Sequence, residues 1–340
     1  MKYVLDVAYG EKNNAGSKAK ADVTAILTKQ LGFQRIWFKQ LESRKDRLRF
    51  GHSKIKDILA KVQSGDTLVI QYPTYNGHTL ETVLLKRLRA KGVKLIAFVH
   101  DIDVMRYQKK VFYKTIAWEC RLLNQFGVII SPNSRMTKLL KGHGLTRPVV
   151  DLQVYDYLQS QAFPTRSSDF RAISFAGNLT KSTFLCKLKV PADYLLHLYG
   201  NEPSDDILKN KQIKYHGSFS PEELINVMPT GFGLVWDGPD QQQLSGTMGK
   251  YLGFNNPHKV SLYLSAGLPI LISDSTAISD FVIANKAGIV VNNLDELGVV
   301  LAQVTAPEFL TLQKNAQKIG EKLREGYYSR RAIQEALSML

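Results

Sequence analysis

Short apolar runs separated by amphipathic stretches fill the first 150 residues. Val4–Val7, Arg35–Phe38, Thr67–Gln71, Lys94–Val99 and Val128–Ile130 have the length and β-branched content of strands. Between them, Lys18–Leu31, His52–Val62, Thr79–Ala90, Tyr107–Asn124 and Ser134–Gly142 carry apolar residues at helical spacing. This alternation predicts a parallel sheet covered on both faces. Around Tyr157–Ser168 the pattern lapses into Gln, Ser, Pro and Arg, which reads as a linker. A second alternation follows, with strands at Ala172–Phe175, Tyr194–Leu198, Lys214–Tyr215, Gly233–Trp236, Ile270–Ile272 and Ile289–Val291. A helix opens on the capping-box sequence Ser220-Pro-Glu-Glu223, and the tail from Pro307 is helical with a break near Gly326–Ser329. The predicted fold class is α/β, with two doubly wound Rossmann-like domains facing a central cleft. The domains run over 1–158 and 169–316, and the helices of 317–340 are expected to pack back on the first domain.

One stretch organises the second domain. Gly249–Lys259 is a polar, Gly-bearing loop that runs into a helix starting on Asn256-Pro257, ending at Gly267 before the strand Ile270–Ile272. Asn before Pro predicts a cap donated to by free backbone N–H groups, with Pro in the first turn. His258 and Lys259 then occupy that first turn, where the dipole alone favours acidic residues. A basic first turn on bare N–H groups suits an anion, phosphate above all. An ordinary capped helix is the plain alternative.

Length and charge narrow the picture. The chain has 340 residues, 44% of them hydrophobic, enough for two cores. No run of about 18 apolar residues predicts a membrane span, and Met1–Asp6 reads as a strand rather than a signal peptide. Cys120 and Cys186, the two cysteines, read as buried free thiols of a reducing compartment, and no metal-ligand spacing is present. The net charge of +15 is uneven: residues 1–150 hold 28 Lys and Arg against 11 Asp and Glu, and residues 151–340 hold 17 against 19. A basic half invites an anionic membrane, nucleic acid or an acidic ligand, or is a solvated lysine-rich surface.

In open parallel sheets, ligands bind beyond the carboxyl ends of strands, so the loops there are the candidates. Ala176–Ser182 offers Gly177 for close approach, Asn178 for hydrogen bonding and Lys181 as a phosphate-pairing charge. Lys181 and Lys259 from separate loops can clamp a diphosphate and stabilise it as a leaving group without metal. Gly16 and Ser17 sit in a Gly-bearing loop after the first strand, either as donors to the diphosphate or as a helix cap. His100-Asp-Ile-Asp103 has metal-binding Asp-x-Asp spacing; the better reading lines an acceptor hydroxyl with His100 and Asp101, and capping by Asp101 or Asp103 is an equal alternative. Tyr75 and Asp237, at strand ends, suit a sugar-binding wall or plain turns. Tyr215 can stack on a nucleobase. Neither a G-x-S-x-G elbow nor a G-x-G-x-x-G after the first strand is present, which disfavours a triad hydrolase and a dinucleotide dehydrogenase.

Gly177-Asn-Leu-x-Lys181, Gly233-Leu-Val-Trp-Asp-Gly238, Asn255-Asn-Pro-His-Lys259 and Ser261–Pro269, with Asn14-Ala-Gly16 and Phe98–Ile102, resemble the glucosyltransferase 3 family. The resemblance implies a GT-B fold and a metal-independent, retaining transferase with no cofactor. It implies transfer of glucose or N-acetylglucosamine from a UDP-sugar to O-linked N-acetylglucosamine on a serine-rich-repeat adhesin. It also implies a homotetramer in the cytoplasm of a Gram-positive bacterium. By position, UDP contacts fall at Gly16, Ser17, Asn178, Lys181, Tyr215 and the loop Phe254, Asn255, Asn256, Pro257, His258 and Lys259, with Lys259 and Lys181 as the catalytic charges. The pair of glutamates eight apart found in many retaining GT-B enzymes is missing, and Asn255–Lys259 occupies that place. Related sequences carry the galactofuranosyltransferase label, so the alternative is a galactofuranosyl or glucosyl transferase acting on a lipid-linked or polysaccharide acceptor. A nucleotide-sugar-binding subunit is the non-enzymatic alternative. No nucleic-acid partner is expected, and the basic first domain predicts a weak association with an anionic membrane.

Overall fold

A computed structural model of the chain describes residues 1–8, 15–107 and 115–340. The chain forms two units, Met1–Leu152 with Tyr328–Leu340, and Gln153–Tyr327. The division therefore precedes the expected linker, and of the helical tail only Tyr328 onwards belongs with the first unit.

In the first unit, strands β1 (Lys2–Ala8), β2 (Gln34–Lys39), β3 (Thr67–Tyr72), β4 (Lys94–Val99), β5 (Val128–Ser131) and β6 (Val149–Asp151) alternate with helices α1 (Ala15–Leu31), α2 (Arg44–Lys61), α3 (His78–Ala90), α4 (Asp103–Tyr107), α5 (Ile116–Leu123) and α6 (Ser134–Gly142). All pairings are parallel, in the order β2-β1-β3-β4-β5-β6. β3 is buried at every position, as a central strand flanked on both faces requires. α2 begins eight residues before the predicted His52. Its charged opening hides the apolar period, but Ser43 accepts a hydrogen bond from the Asp46 N–H and fixes the start. The predicted helix Tyr107–Asn124 is instead represented by α4 and α5, and 108–114 lies outside the described residues.

The second unit contains β7 (Ala172–Gly177), β8 (Leu195–Gly200), β9 (Ile213–Tyr215), β10 (Phe232–Val235), β11 (Ile270–Ser273) and β12 (Gly288–Val291). Its helices are α7 (Asp205–Leu208), α8 (Pro221–Val227), α9 (Gly246–Leu252), α10 (His258–Ser265), α11 (Ser279–Ala284), α12 (Leu297–Ala302) and α13 (Ala306–Arg324). α14 (Tyr327–Ser338) carries the chain back to the first unit. The parallel strand order β9-β8-β7-β10-β11-β12 reverses direction at β7, so β7 and β10 flank a topological switch point. The predicted capping box at Ser220 is present, and a second closes the start of α13 with Thr305 and Glu308.

The polar stretch after Tyr157 is held by side chains of its own unit. Arg166 donates to the carbonyls of Ile225, Met228 and Ala266, while Arg324 donates to Gln161 and Ser265 and lies over the Phe163 ring. Burial and the neighbouring Arg324 pull the Arg166 guanidinium down to about 10. Cys120 is buried as expected, whereas Cys186 is exposed at the end of a short 3₁₀ turn.

α10 is the helix on which the site rests. Residues Val260–Ser265 are all buried, against β10 and α13. Gly233 in β10 permits this, since a Cβ there would meet the Tyr263 ring at 2.2 Å. The Tyr263 hydroxyl in turn accepts a hydrogen bond from the Ala176 N–H at 2.8 Å. Gly233→Ala is expected to cost about 1–3 kcal/mol by overpacking, and Tyr263→Phe about 1–3 kcal/mol by leaving that N–H unsatisfied. Urea unfolding of both variants checks this, with a lowered midpoint expected for each.

Candidate functional site

At the carboxyl edge of the second sheet three elements converge. Gly177 ends β7, Asp237 follows β10, and Lys259 is the second residue of α10. The Lys259 ammonium lies 3.0 and 3.1 Å from the two Asp237 carboxylate oxygens and 3.4 Å from the Trp236 carbonyl oxygen. It also sits 5.0 Å from the centre of the Phe175 ring. Gly177 makes room for it: a Cβ there would come within 3.1 Å of Lys259 Cε. The cation is only partly shielded, with 16% of its side chain exposed against 25% for Asp237.

The start of α10 differs from the predicted cap. Pro257 is the N-cap and, as a proline, offers no side-chain acceptor to the first turn. Asn256 is buried and gives its amide to the Gln153 carbonyl at 2.9 Å instead. His258 stacks on Tyr155 at 5.1 Å, and Ser261 Oγ donates to the Tyr155 carbonyl at 2.6 Å. The half-buried Phe254 and Asn255 complete the turn, Asn255 N–H donating to Tyr251 O. The helix is thus fixed by its flanks, and its N-terminal donors and dipole face the edge with a lysine among them.

Other predicted residues lie apart from this cluster or play a different part. Lys181 is exposed, and its side chain is in no ion pair among the described residues. Asn178 closes a turn, its side-chain oxygen accepting from the Lys181 N–H at 3.1 Å. Tyr215 is half-buried, packs on the core and donates its hydroxyl to Gly200 O at 3.1 Å. Gly16 and Ser17 lie within α1, which begins at Ala15 rather than Lys18; Asn14 and the rest of 9–14 lie outside the described residues. Sequence reasoning missed Phe175 beneath the lysine and Asn201, whose side-chain oxygen accepts the Leu179 N–H and joins the loops after β7 and β8. It also missed Gly200, where φ is +145° and a Cβ would strike Gly177 O.

The first unit carries a second polar cluster at the carboxyl ends of β3 and β4. Asp101 accepts from the Tyr75 hydroxyl at 3.2 Å and from Arg106 at 2.6 Å. His100 is buried rather than presented to a ligand, its Nε2 lying 2.8 Å from Gln71 Oε1. Gln71 gives its amide to Lys20 O and Thr24 Oγ1, so the imidazole Nε2 carries the donated proton. Lys20, not anticipated, is buried with its ammonium 2.6 Å from Pro73 O and 4.7 Å from the Tyr75 ring centre. Burial lowers its pKa to about 7, against the opposing pull of Asp101, Glu81 and Asp103. Burial, with Asp101 and Glu81 nearby, raises Asp103 to about 6. No group of three or more potential metal ligands occurs among the described residues.

Residues 1–154 match the glucosyltransferase 3-like N-terminal domain, and 173–336 match the glucosyltransferase 3-like C-terminal domain. The beta-1,6-galactofuranosyltransferase WbbI of Escherichia coli (strain K12) is 30% identical over 292 residues, covering 84% of each chain. The chain belongs to the glucosyltransferase 3-like family. Glucosyltransferase 3 of Streptococcus gordonii is 27% identical over 325 residues, covering 94% of this chain and 93% of its own. Among solved structures, sucrose-phosphate synthase of Thermosynechococcus elongatus superposes with a TM-score of 0.63 at 12% identity, covering 99% and 98% of the two chains. The fold is GT-B and the activity is that of a glycosyltransferase. Among the described residues no helix is long and apolar enough to cross a membrane.

The lowered Lys20 pKa has a definite sign in stability. Between about pH 7 and 10.5 the unfolded chain holds a proton that the folded chain lacks, so this group makes stability rise with pH over that window. Asp103 acts oppositely between about pH 4 and 6, where the folded chain holds the extra proton and stability falls as pH rises. Lys20→Met is therefore expected to raise the melting temperature at pH 7 and below, with the gain shrinking towards pH 10. Melting curves of both proteins across that range provide the check, and a gain independent of pH would contradict the assignment.

Proposed function

We propose that the chain transfers a sugar from a UDP-sugar to an O-linked N-acetylglucosamine on a serine-rich-repeat protein. Glucose or N-acetylglucosamine is the favoured donor sugar. The observation that carries this reading is Lys259 in the first turn of α10, beside the β7–β10 switch point. The ammonium rests on Asp237. A diphosphate brings more negative charge than one carboxylate, so it takes the ammonium and the first N–H groups of α10. The bond between the anomeric carbon and the β-phosphate oxygen breaks, and that carbon bonds to the acceptor oxygen. The acceptor's proton passes to the departing phosphate, on the same face, which gives retention. Lys259 neutralises the charge that develops on UDP and makes a divalent metal unnecessary. Lys181 supplies a second cation from its exposed loop. The same reading includes action in the cytoplasm and assembly as a tetramer.

A second reading is favoured by the higher identity to the galactofuranosyltransferase than to glucosyltransferase 3. In it the donor is UDP-galactofuranose and the acceptor a lipid-linked or polysaccharide sugar. Mass spectrometry of each acceptor type after incubation with single UDP-sugars decides between them.

Lys259→Ala is expected to lower kcat/KM by about a hundredfold or more and to abolish the rise in melting temperature with UDP, while the protein stays folded. Turnover at the parent level would remove the phosphate-clamp mechanism. EDTA is expected to leave transfer intact, and loss restored by Mn²⁺ would overturn metal independence.

A further inference from the structure

The solvent face of α2 has no part in the chemistry above and is the most strongly basic helix surface of the first unit among the described residues. α2 holds seven Lys and Arg against two Asp. Both acids are engaged locally, Asp46 with the Ser43 hydroxyl and Asp57 with Lys54. Arg47 is also committed, donating to Leu41 O and Glu42 O. Among the described residues no ion pair involves Arg44, Lys45, Arg49, Lys56 or Lys61. Lys45, Leu48, Arg49, His52 and Lys56 recur at the three- and four-residue spacing of one helix face, and all are exposed. Leu48 stands in the middle of that stripe with 81% of its surface in water.

We propose that this face of α2 docks on an anionic lipid bilayer, the cations meeting headgroups and Leu48 entering the interface. Charge complementarity alone would suit any polyanion. An aliphatic side chain held among the cations gains from hydrocarbon and gains little from a sugar-phosphate backbone, which favours a membrane. A helix lying along the surface would present its whole stripe at once. The proposal stands apart from the donor and acceptor assignments, because none of these residues is among those named for either.

The test is flotation of the full chain with vesicles of phosphatidylcholine alone or with about 30 mol % phosphatidylglycerol, in low salt and in about 0.5 M salt. Binding is expected only with the anionic vesicles and is expected to weaken at high salt. The triple variant Lys45→Glu, Arg49→Glu, Lys56→Glu should lose about tenfold or more in affinity. Leu48→Gln should weaken vesicle binding severalfold and leave binding to heparin unchanged. Melting curves confirm that these exposed substitutions leave the fold intact. Lys259→Ala should float like the parent, which separates failure here from failure of the phosphate clamp. Equal binding to neutral vesicles, or vesicle binding by Leu48→Gln indistinguishable from the parent's, would overturn the proposal in favour of nonspecific adhesion or a general polyanion surface.

Discussion

A helix buried on all sides must have its end groups satisfied, and α10 shows how at its C-terminus. At its C-terminus Gly267, with φ of +72°, lets the N–H groups of Gly267 and Leu268 return to the carbonyls of Leu264 and Tyr263. Arg324 and Arg166 take the next carbonyls, Ser265 O at 2.7 Å and Ala266 O at 2.6 Å. Both guanidiniums complement the negative end of the dipole. At the N-terminus the N-cap is Pro257, which offers no side-chain acceptor. Rigid packing at the C-terminal end holds the other end in place. Gly320 of α13, where a Cβ would lie 2.2 Å from Leu264 O, shows how closely the supporting helix approaches.

The Lys259–Asp237 pair gains meaning from its magnitude. A partly exposed ion pair contributes about 0–1 kcal/mol to stability. The pair therefore adds little to folding energetics, and replacing Asp237 by another anion would cost little. Lys20 is the contrasting case. Its charge is fully buried, disfavoured there, and tied to the loop after β3 through Pro73. One lysine is paired at a sheet edge, while the other is buried against a loop.

The alternation of apolar runs was enough to read the two parallel sheets, because strands buried on both faces leave continuous hydrophobic stretches such as Thr67–Tyr72. A helix start at Asn256-Pro257 was also legible, and α10 begins at His258. The role of Asn256 was not. Local rules gave its side chain to the helix, and a carbonyl over a hundred positions away, at Gln153, competes for it. The same holds for Asp237, read as a sugar wall and found on Lys259. The segment after Tyr157 looked like a slack linker because its composition is polar, yet Arg166 and Arg324 anchor it through backbone carbonyls that composition cannot reveal. Lys20 gave no signal, being one of many lysines in a basic half. Only the fold distinguishes the buried one.

The return of the chain at α14 has a consequence for the order in which the protein is built. Residues 153–327 form an uninterrupted unit, whereas the first unit joins 1–152 to 328–340. Arg331 donates to the carbonyls of Asp151 and Leu152, and Leu340 packs against Gly127. During synthesis the second unit has all its residues before the first does, although it is made later. The basic sheet therefore emerges from the ribosome early and must wait, with the surface meant for α14 uncovered, until the other unit's chain has passed.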